Sequence, residues 1–307
     1  MSALRLSAVL SLLLGAAPSP LPLFGYLCAT CPSTPAPAAT LAALPAVYTR
    51  LALAFAGWTE NGTILNQWDA PDKNFIVNAS VVAALQARGV QVFLSAGGGA
   101  GNTLPGAGAP PGFAANMLDG LSSLVSSWHL DGVDFDLENW PGAVPDIVAA
   151  CALVRAVITG LRAAHPALLI SAPPQMTDLY PDYPSITAGF NRFAPLLDGS
   201  SPALFDFVMP QMYNSWAGVE TLAYAQVYAG ELAAGFALAS PPLRVPALAP
   251  MLGYPASRSA AGSGFLSPPA VVAMARGLGK NCSGLMTWDA GWDQFSDWQF
   301  ANAVAAG

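Results

Sequence analysis

The chain has 307 residues, a length that suits two average domains of about 150 residues or one α/β barrel of about 250. Lys and Arg number 11 against 18 Asp and Glu, for a net charge of −7, and no basic run occurs; this excludes an electrostatic nucleic-acid binder and a polybasic membrane surface. Only 9% of residues are charged and 54% are apolar, against roughly 25% charged in an average soluble domain, so a membrane protein has to be considered. The longest apolar stretch beyond the N-terminus, Ile147 to Leu161, is interrupted by Arg155 and falls short of the about 20 residues that a span needs. The body of the chain therefore reads as soluble.

At the N-terminus, Arg5 precedes the apolar run Leu6 to Leu14, and the small residues Gly15, Ala16 and Ala17 follow. This is the layout of a secretory signal. Residues 1–19 are expected to form that signal and residues 20–307 one catalytic domain, secreted to the extracellular space. The sequons at Asn61, Asn78 and Asn281 are compatible with that destination. Cys28-Ala-Thr-Cys31 fits a local disulfide, a redox pair or half of a metal site; the metal option is poor, because a second CxxC is missing and His129 and His165 are the only histidines. Cys151 and Cys282 lie in apolar surroundings and read as inert core thiols.

Short apolar runs with the character of strands buried on both faces begin near Leu21, Arg50, Val90, Gly132, Ala167, Phe205, Arg244 and Ser283. The mean spacing of about 37 residues accommodates one strand plus one helix. Between them run periodic segments: Val81 to Arg88, capped by Ser80 and ended by Gly89; Phe113 to Trp128; Asp146 to Ala163; Thr221 to Phe236; Ser267 to Gly277; and Ser296 to Ala305. Eight such units predict a single α/β (β/α)8 TIM barrel. A doubly wound sheet is the competing architecture, but no dinucleotide or phosphate-loop glycine pattern follows the first strand.

The segment Asp131-Gly-Val-Asp-Phe-Asp-Leu-Glu138 holds four of the 18 acids in eight positions. With a side-chain period of two, Asp134, Asp136 and Glu138 share one face, and Val133, Phe135 and Leu137 share the other. The apolar face suits the surrounding helices, which leaves three carboxylates pointing into the barrel. Like charges buried together raise one another's pKa, and desolvation adds to the effect, so such a row tends to hold a proton near neutral pH. Glu138 falls at the C-terminal mouth, where sites on this fold sit, and is the natural general acid. A calcium loop is the alternative for a DxDxE row, but the flanking apolar residues imply a strand and the expected glycine spacing is absent.

These residues resemble glycoside hydrolase family 18, the chitinases and related endo-β-N-acetylglucosaminidases. The family's DxxDxDxE is matched by Asp131, Asp134, Asp136 and Glu138, and its SxGG by Ser95, Gly97 and Gly98. Its QxYN is matched by Gln211, Tyr213 and Asn214, and its terminal tryptophan by Trp288. The resemblance implies a retaining, substrate-assisted mechanism, one of the exceptions to the two-carboxylate scheme. In it Glu138 protonates the glycosidic oxygen and later acts as base, while the substrate's own acetamido carbonyl attacks the anomeric carbon to give an oxazolinium ion. Asp136 holds the acetamido group and shares a proton with Asp134. Tyr213 and Gln211 orient that group, and Trp288 floors the reacting sugar. Asn214, Tyr26, Phe55 and Trp140 are further substrate-binding candidates, whereas Met209 reads as packing.

The expected partner is chitin or another N-acetylglucosamine-containing oligosaccharide, with no cofactor, no metal, no nucleic acid and no membrane, acting as a monomer. About 30 residues separate Met251 from Ser283, too few for the extra α+β domain of many exo-acting relatives, so a shallow groove and endo cleavage are expected. Two other readings share the fold: an endo-β-N-acetylglucosaminidase acting on N-glycans, and a chitin-binding lectin without activity. The lectin sits poorly with the presence of Glu138.

Overall fold

The computed structural model describes residues 21–29, 31, 37–69, 77–99, 103–179, 190–197, 203–215, 221–234 and 250–307. The expected signal peptide at 1–19 and the strand start near Arg244 lie outside them. Eight parallel strands follow the chain: β1 (Leu23–Cys28), β2 (Tyr48–Trp58), β4 (Gln91–Gly97), β5 (Gly132–Asp136), β6 (Leu169–Ala172), β7 (Phe207–Val208), β8 (Met251–Pro255) and β9 (Gly284–Trp288). A short β3 (Ile64–Asn66) pairs antiparallel with the end of β2. The hydrogen-bonded order is β7-β6-β5-β4-β2-β1-β9-β8. Closure falls just past β7, where Gln211 bridges in parallel to Gln175 on one side and Gly253 on the other. There Met212 N donates to Gly253 O at 2.9 Å and Gly253 N to Pro210 O at 3.0 Å. The architecture is the (β/α)8 barrel, without an inserted α+β domain between β8 and β9.

Alternation along each strand sorts the core into two. Leu23, Leu27, Leu53, Leu94, Val133 and Phe135 face the helices and join the larger cluster. Phe24, Tyr26, Ala52, Phe93, Met209 and Met286 fill the barrel interior. Inside, bulky rings from β1 and β4 sit against small residues of β2, which is how a closed sheet is packed without voids.

The helices are α1 (Pro37–Ala43), α2 (Ala79–Gln86), α3 (Phe113–Trp128), α4 (Val144–Ala164), α5 (Met176–Leu179), α6 (Leu222–Ala234), α7 (Pro268–Leu278), α8 (Ala290–Phe295) and α9 (Gln299–Ala306). Three differ from expectation. The cap of α2 is Asn78, not Ser80: Asn78 has extended backbone and its Oδ1 accepts from Ser80 N at 3.0 Å and Val81 N at 3.2 Å. Helix α4 runs for 21 residues, longer than the apolar stretch suggested, and by length and composition it is long enough to cross a membrane. In the barrel it lays Ile147, Cys151, Val154, Ile158 and Leu161 into the core, and its Arg162 pairs with Asp206 at 2.9 Å. The last predicted helix, Ser296 to Ala305, starts three residues late at Gln299, because Asp297 and Trp298 at φ 58° break the helical path between α8 and α9. Buried Asp293 sets that break by accepting from Tyr48 Oη at 2.7 Å, Phe300 N at 2.8 Å and Ala301 N at 3.1 Å.

Of the three readings of the CxxC segment, the structure has the disulfide, Cys28–Cys31, at the end of β1. Cys151 and Cys282 are free and buried, and burial raises both thiol pKa values, which leaves them unreactive.

Candidate active site

The carboxylates of β5 point inward as the alternation requires. Val133 and Phe135 are fully buried against the helices, while Asp134 (0% exposed) and Asp136 (3%) lie inside the barrel and half-buried Glu138 stands at its mouth. Asp131 is at the opposite end of the strand, where its Oδ2 accepts from Val92 N at 2.7 Å and Gln86 Nε2 at 2.9 Å. It ties β4 and α2 to β5 and does not join the row.

Asp134 sits among three hydroxyls: Tyr26 at 2.9 Å and Ser95 at 2.7 Å donate to Oδ2, and Ser171 at 2.6 Å donates to Oδ1. Burial still outweighs these bonds and pushes its pKa up to about 6. Asp136 is also raised, first by burial and then by the negative charges of Glu138 and Asp134, and it is in hydrogen-bonding contact with Glu138. Three hydroxyls thus hold the Asp134 oxygens, while Asp136 interacts both with Asp134 and with Glu138 at the mouth.

Two amides grip the row from the neighbouring strand ends. Gln175 Nε2 donates to Glu138 Oε2 at 2.5 Å. Gln211 Nε2 donates to Asp136 Oδ1 at 3.1 Å and Pro173 O at 3.0 Å, with a longer 3.4 Å approach to Glu138 Oε1. Tyr213 is buried beside them, and burial together with the charges of Asp136 and Glu138 raises its pKa well above 10.0, so its hydroxyl stays a donor. The glycines after β4 make room for the row. At Gly97 (φ 121°) a Cβ would lie 2.0 Å from Asp136 O, at Gly98 (φ 88°) 2.8 Å from the Phe55 ring, and at Gly99 3.0 Å from Glu138 Oε2.

The aromatic candidates separate into two groups. Trp288 at the end of β9 stacks on Phe55 at 5.7 Å and 20° and meets Tyr26 at 5.8 Å, so these three form one wall of the interior beside Asp134. Trp140, two residues past Glu138, turns to the other side, where its Nε1 donates to Asp178 Oδ2 at 3.1 Å. Asn214 has a left-handed backbone (φ 50°), and its Oδ1 accepts from Gly262 N at 2.7 Å and Ser263 N at 3.3 Å, which fastens the loop after β8. Its side-chain oxygen is engaged there and not in the row. Sequence reasoning missed Gln175, Ser171 and Asp178. Asp178 is fully buried, paired with Arg192 at 2.9 Å, and raised to about 7 chiefly by burial. Among the described residues no group of three or more His, Cys, Asp or Glu is placed to hold a metal ion.

Fold and site together define a (β/α)8 barrel with an inward row of carboxylates that ends at the C-terminal mouth. No family model matches the chain. Chitinase ChiA of Flavobacterium johnsoniae is 25% identical over 259 residues, which are 70% of this chain and 16% of that protein. Chitinase Chi52 of Paenibacillus xylanexedens is 27% identical over 268 residues, 73% of this chain and 50% of that one. The chain thus spans half or less of the length of these two curated relatives. Among solved structures, a family GH18 chitinase from Chromobacterium violaceum shares the fold at a TM-score of 0.76 and 21% identity, over 93% of this chain and 83% of that one. So does a xylanase and α-amylase inhibitor protein from Scadoxus multiflorus, at a TM-score of 0.65 and 20% identity over 92% and 98%. The chain is thus similar in sequence to curated chitinases and shares its fold with a family GH18 chitinase.

Proposed function

We propose that the protein is a secreted chitinase that hydrolyses β-1,4 linkages between N-acetylglucosamine units with retention of configuration, cutting within the polymer. The observation that carries this reading is the row Asp134, Asp136 and Glu138, aligned on β5 and graded from a buried, hydroxyl-bound base to a half-buried mouth. Glu138 protonates the glycosidic oxygen. The substrate's acetamido carbonyl closes on the anomeric carbon, and the Glu138 carboxylate then takes a proton from the water that opens the oxazolinium ion. The Asp136 carboxylate, in contact with Glu138 in the free protein, turns to accept the acetamido N–H as positive charge develops, with Tyr213 and Gln211 orienting the same group. Trp288, backed by Phe55 and Tyr26, supplies the apolar floor for the pyranose.

Endo cleavage is supported by the short connection between β8 and β9. Secretion is supported by the N-terminal pattern and by the Cys28–Cys31 disulfide, a bond that persists in oxidising compartments. A binding protein without turnover is the second reading, favoured by the fold shared with the inhibitor protein. Incubation with chitotetraose and chitohexaose, with anomer analysis of early products, decides. The chitinase reading expects β-anomers and a mixture of product lengths from the hexamer; α-anomers refute the mechanism, dimers alone refute endo action, and binding without products favours the second reading.

A further inference from the structure

Trp140 is held by a device that the reaction itself does not require. Its Nε1 donates to Asp178 Oδ2 at 3.1 Å, and its ring meets Phe193 edge-on, with centroids 5.4 Å apart at 77°. Asp178 is in turn locked, because Arg192 Nη1 donates to the other carboxylate oxygen at 2.9 Å and the backbone N of Asp178 donates to Gln175 O at 2.9 Å. Gln175 itself reaches Glu138 Oε2 at 2.5 Å. One short segment, Gln175 to Asp178, therefore grips the acid segment at two points, Glu138 and Trp140.

An ion pair with a fully buried carboxylate is weak evidence for stability, because desolvation offsets much of the attraction. What this pair accomplishes is to fix the tilt of an indole that remains only half-buried at the barrel mouth. An indole held rigidly with part of its surface open is suited to the apolar face of an uncharged sugar, since no rotamer freedom is lost on binding.

We propose that Asp178 is a positioning residue: with Arg192 it locks Trp140 beside Glu138 as the platform for the sugar unit next to the one undergoing reaction. The inference rests on the assignment of Glu138 as the acid. Trp140→Phe keeps a ring and removes the donor to Asp178, and Asp178→Asn removes the charge that holds Arg192. Each is expected to raise KM for chitohexaose about five- to tenfold with little change in kcat, and to raise Kd by the same factor in calorimetry on a Glu138→Gln background. A purely structural role would lower the melting temperature and leave KM and Kd unchanged. If Asp178→Asn fails to fold, Trp140→Phe decides alone. Unchanged Kd in Trp140→Phe, or a fall in kcat at constant KM, overturns the proposal. Tight binding of hexamer by the wild type without cleavage would overturn the acid assignment while leaving the Kd comparison to judge Asp178; no binding at all would overturn both.

Discussion

As the proposed acid and base, Glu138 carries the heaviest burden of any single side chain, and its surroundings suit that role. The amide of Gln175 fixes one oxygen, and Asp136 contacts the carboxyl from the barrel side. Replacing it with glutamine keeps the shape and removes the proton. Glu138→Gln is expected to lower kcat on N-acetylglucosamine oligomers at least about 100-fold while binding, measured by calorimetry, stays largely intact. Activity within tenfold of wild type would remove Glu138 from the acid role. This residue, Asp136 and Asp134 were legible in the sequence because a strand's period of two converts spacing into a shared face, and because acids are otherwise rare in the chain. Gln175 and Asp178 were not legible. They lie on an irregular turn after β6 with no periodicity to read, and their partners, Glu138 and Arg192, become neighbours only through barrel closure. Asn214 was read from its motif, but its left-handed backbone turns the side chain to the loop after β8, and nothing in the four-residue pattern reports that.

At the level of elements, strands were easier to place than helix ends. β2, β4, β5 and β9 begin within two residues of the expected positions, since fully buried strands announce themselves as unbroken apolar runs bounded by polar turns. Helix starts depend on one residue's backbone angles. Asn78 and Ser80 are both good capping types two positions apart, and only the extended backbone of Asn78 settles which one accepts the helix amides. The assignment has a measurable consequence: Asn78→Ala is expected to destabilise the protein by about 1 kcal/mol in urea unfolding, and Ser80→Ala by only a few tenths. The reverse order would restore Ser80 as the cap. The late start of the last helix, at Gln299 where Ser296 was expected, has a different reason. It is imposed by Asp293, which gathers amides of α9 and the hydroxyl of Tyr48 from the far end of the chain, a tertiary cause without a local signature.

For the whole molecule, the scarcity of charge has a thermodynamic corollary. Of the 18 acids, Asp134, Asp136, Asp178 and Asp293 are buried with raised pKa values, burial being the largest cause in each. A carboxyl whose folded pKa lies above its unfolded value binds more protons in the native state. Its contribution to stability is therefore complete below about pH 4 and is lost as pH rises through the folded value. For Asp134 that loss runs from about pH 4 to about 6 and for Asp178 from about pH 4 to about 7, so the fold is expected to be more stable at pH 5 than at pH 8. Exposed carboxylates are still ionised at pH 5 and contribute little to the difference. The chain has two histidines, His129 and His165, outside the row, so a charge change within the barrel belongs to the buried acids. Thermal unfolding followed by circular dichroism at the two pH values tests this, with Asp134→Asn as the diagnostic variant. Asparagine cannot ionise, and the hydroxyls of Ser95, Ser171 and Tyr26 can rotate to meet an amide, so the variant should narrow the gap between the two melting temperatures. A wild-type protein equally stable at both pH values, or a gap that Asp134→Asn leaves untouched, would show that Asp134 does not hold its proton as inferred.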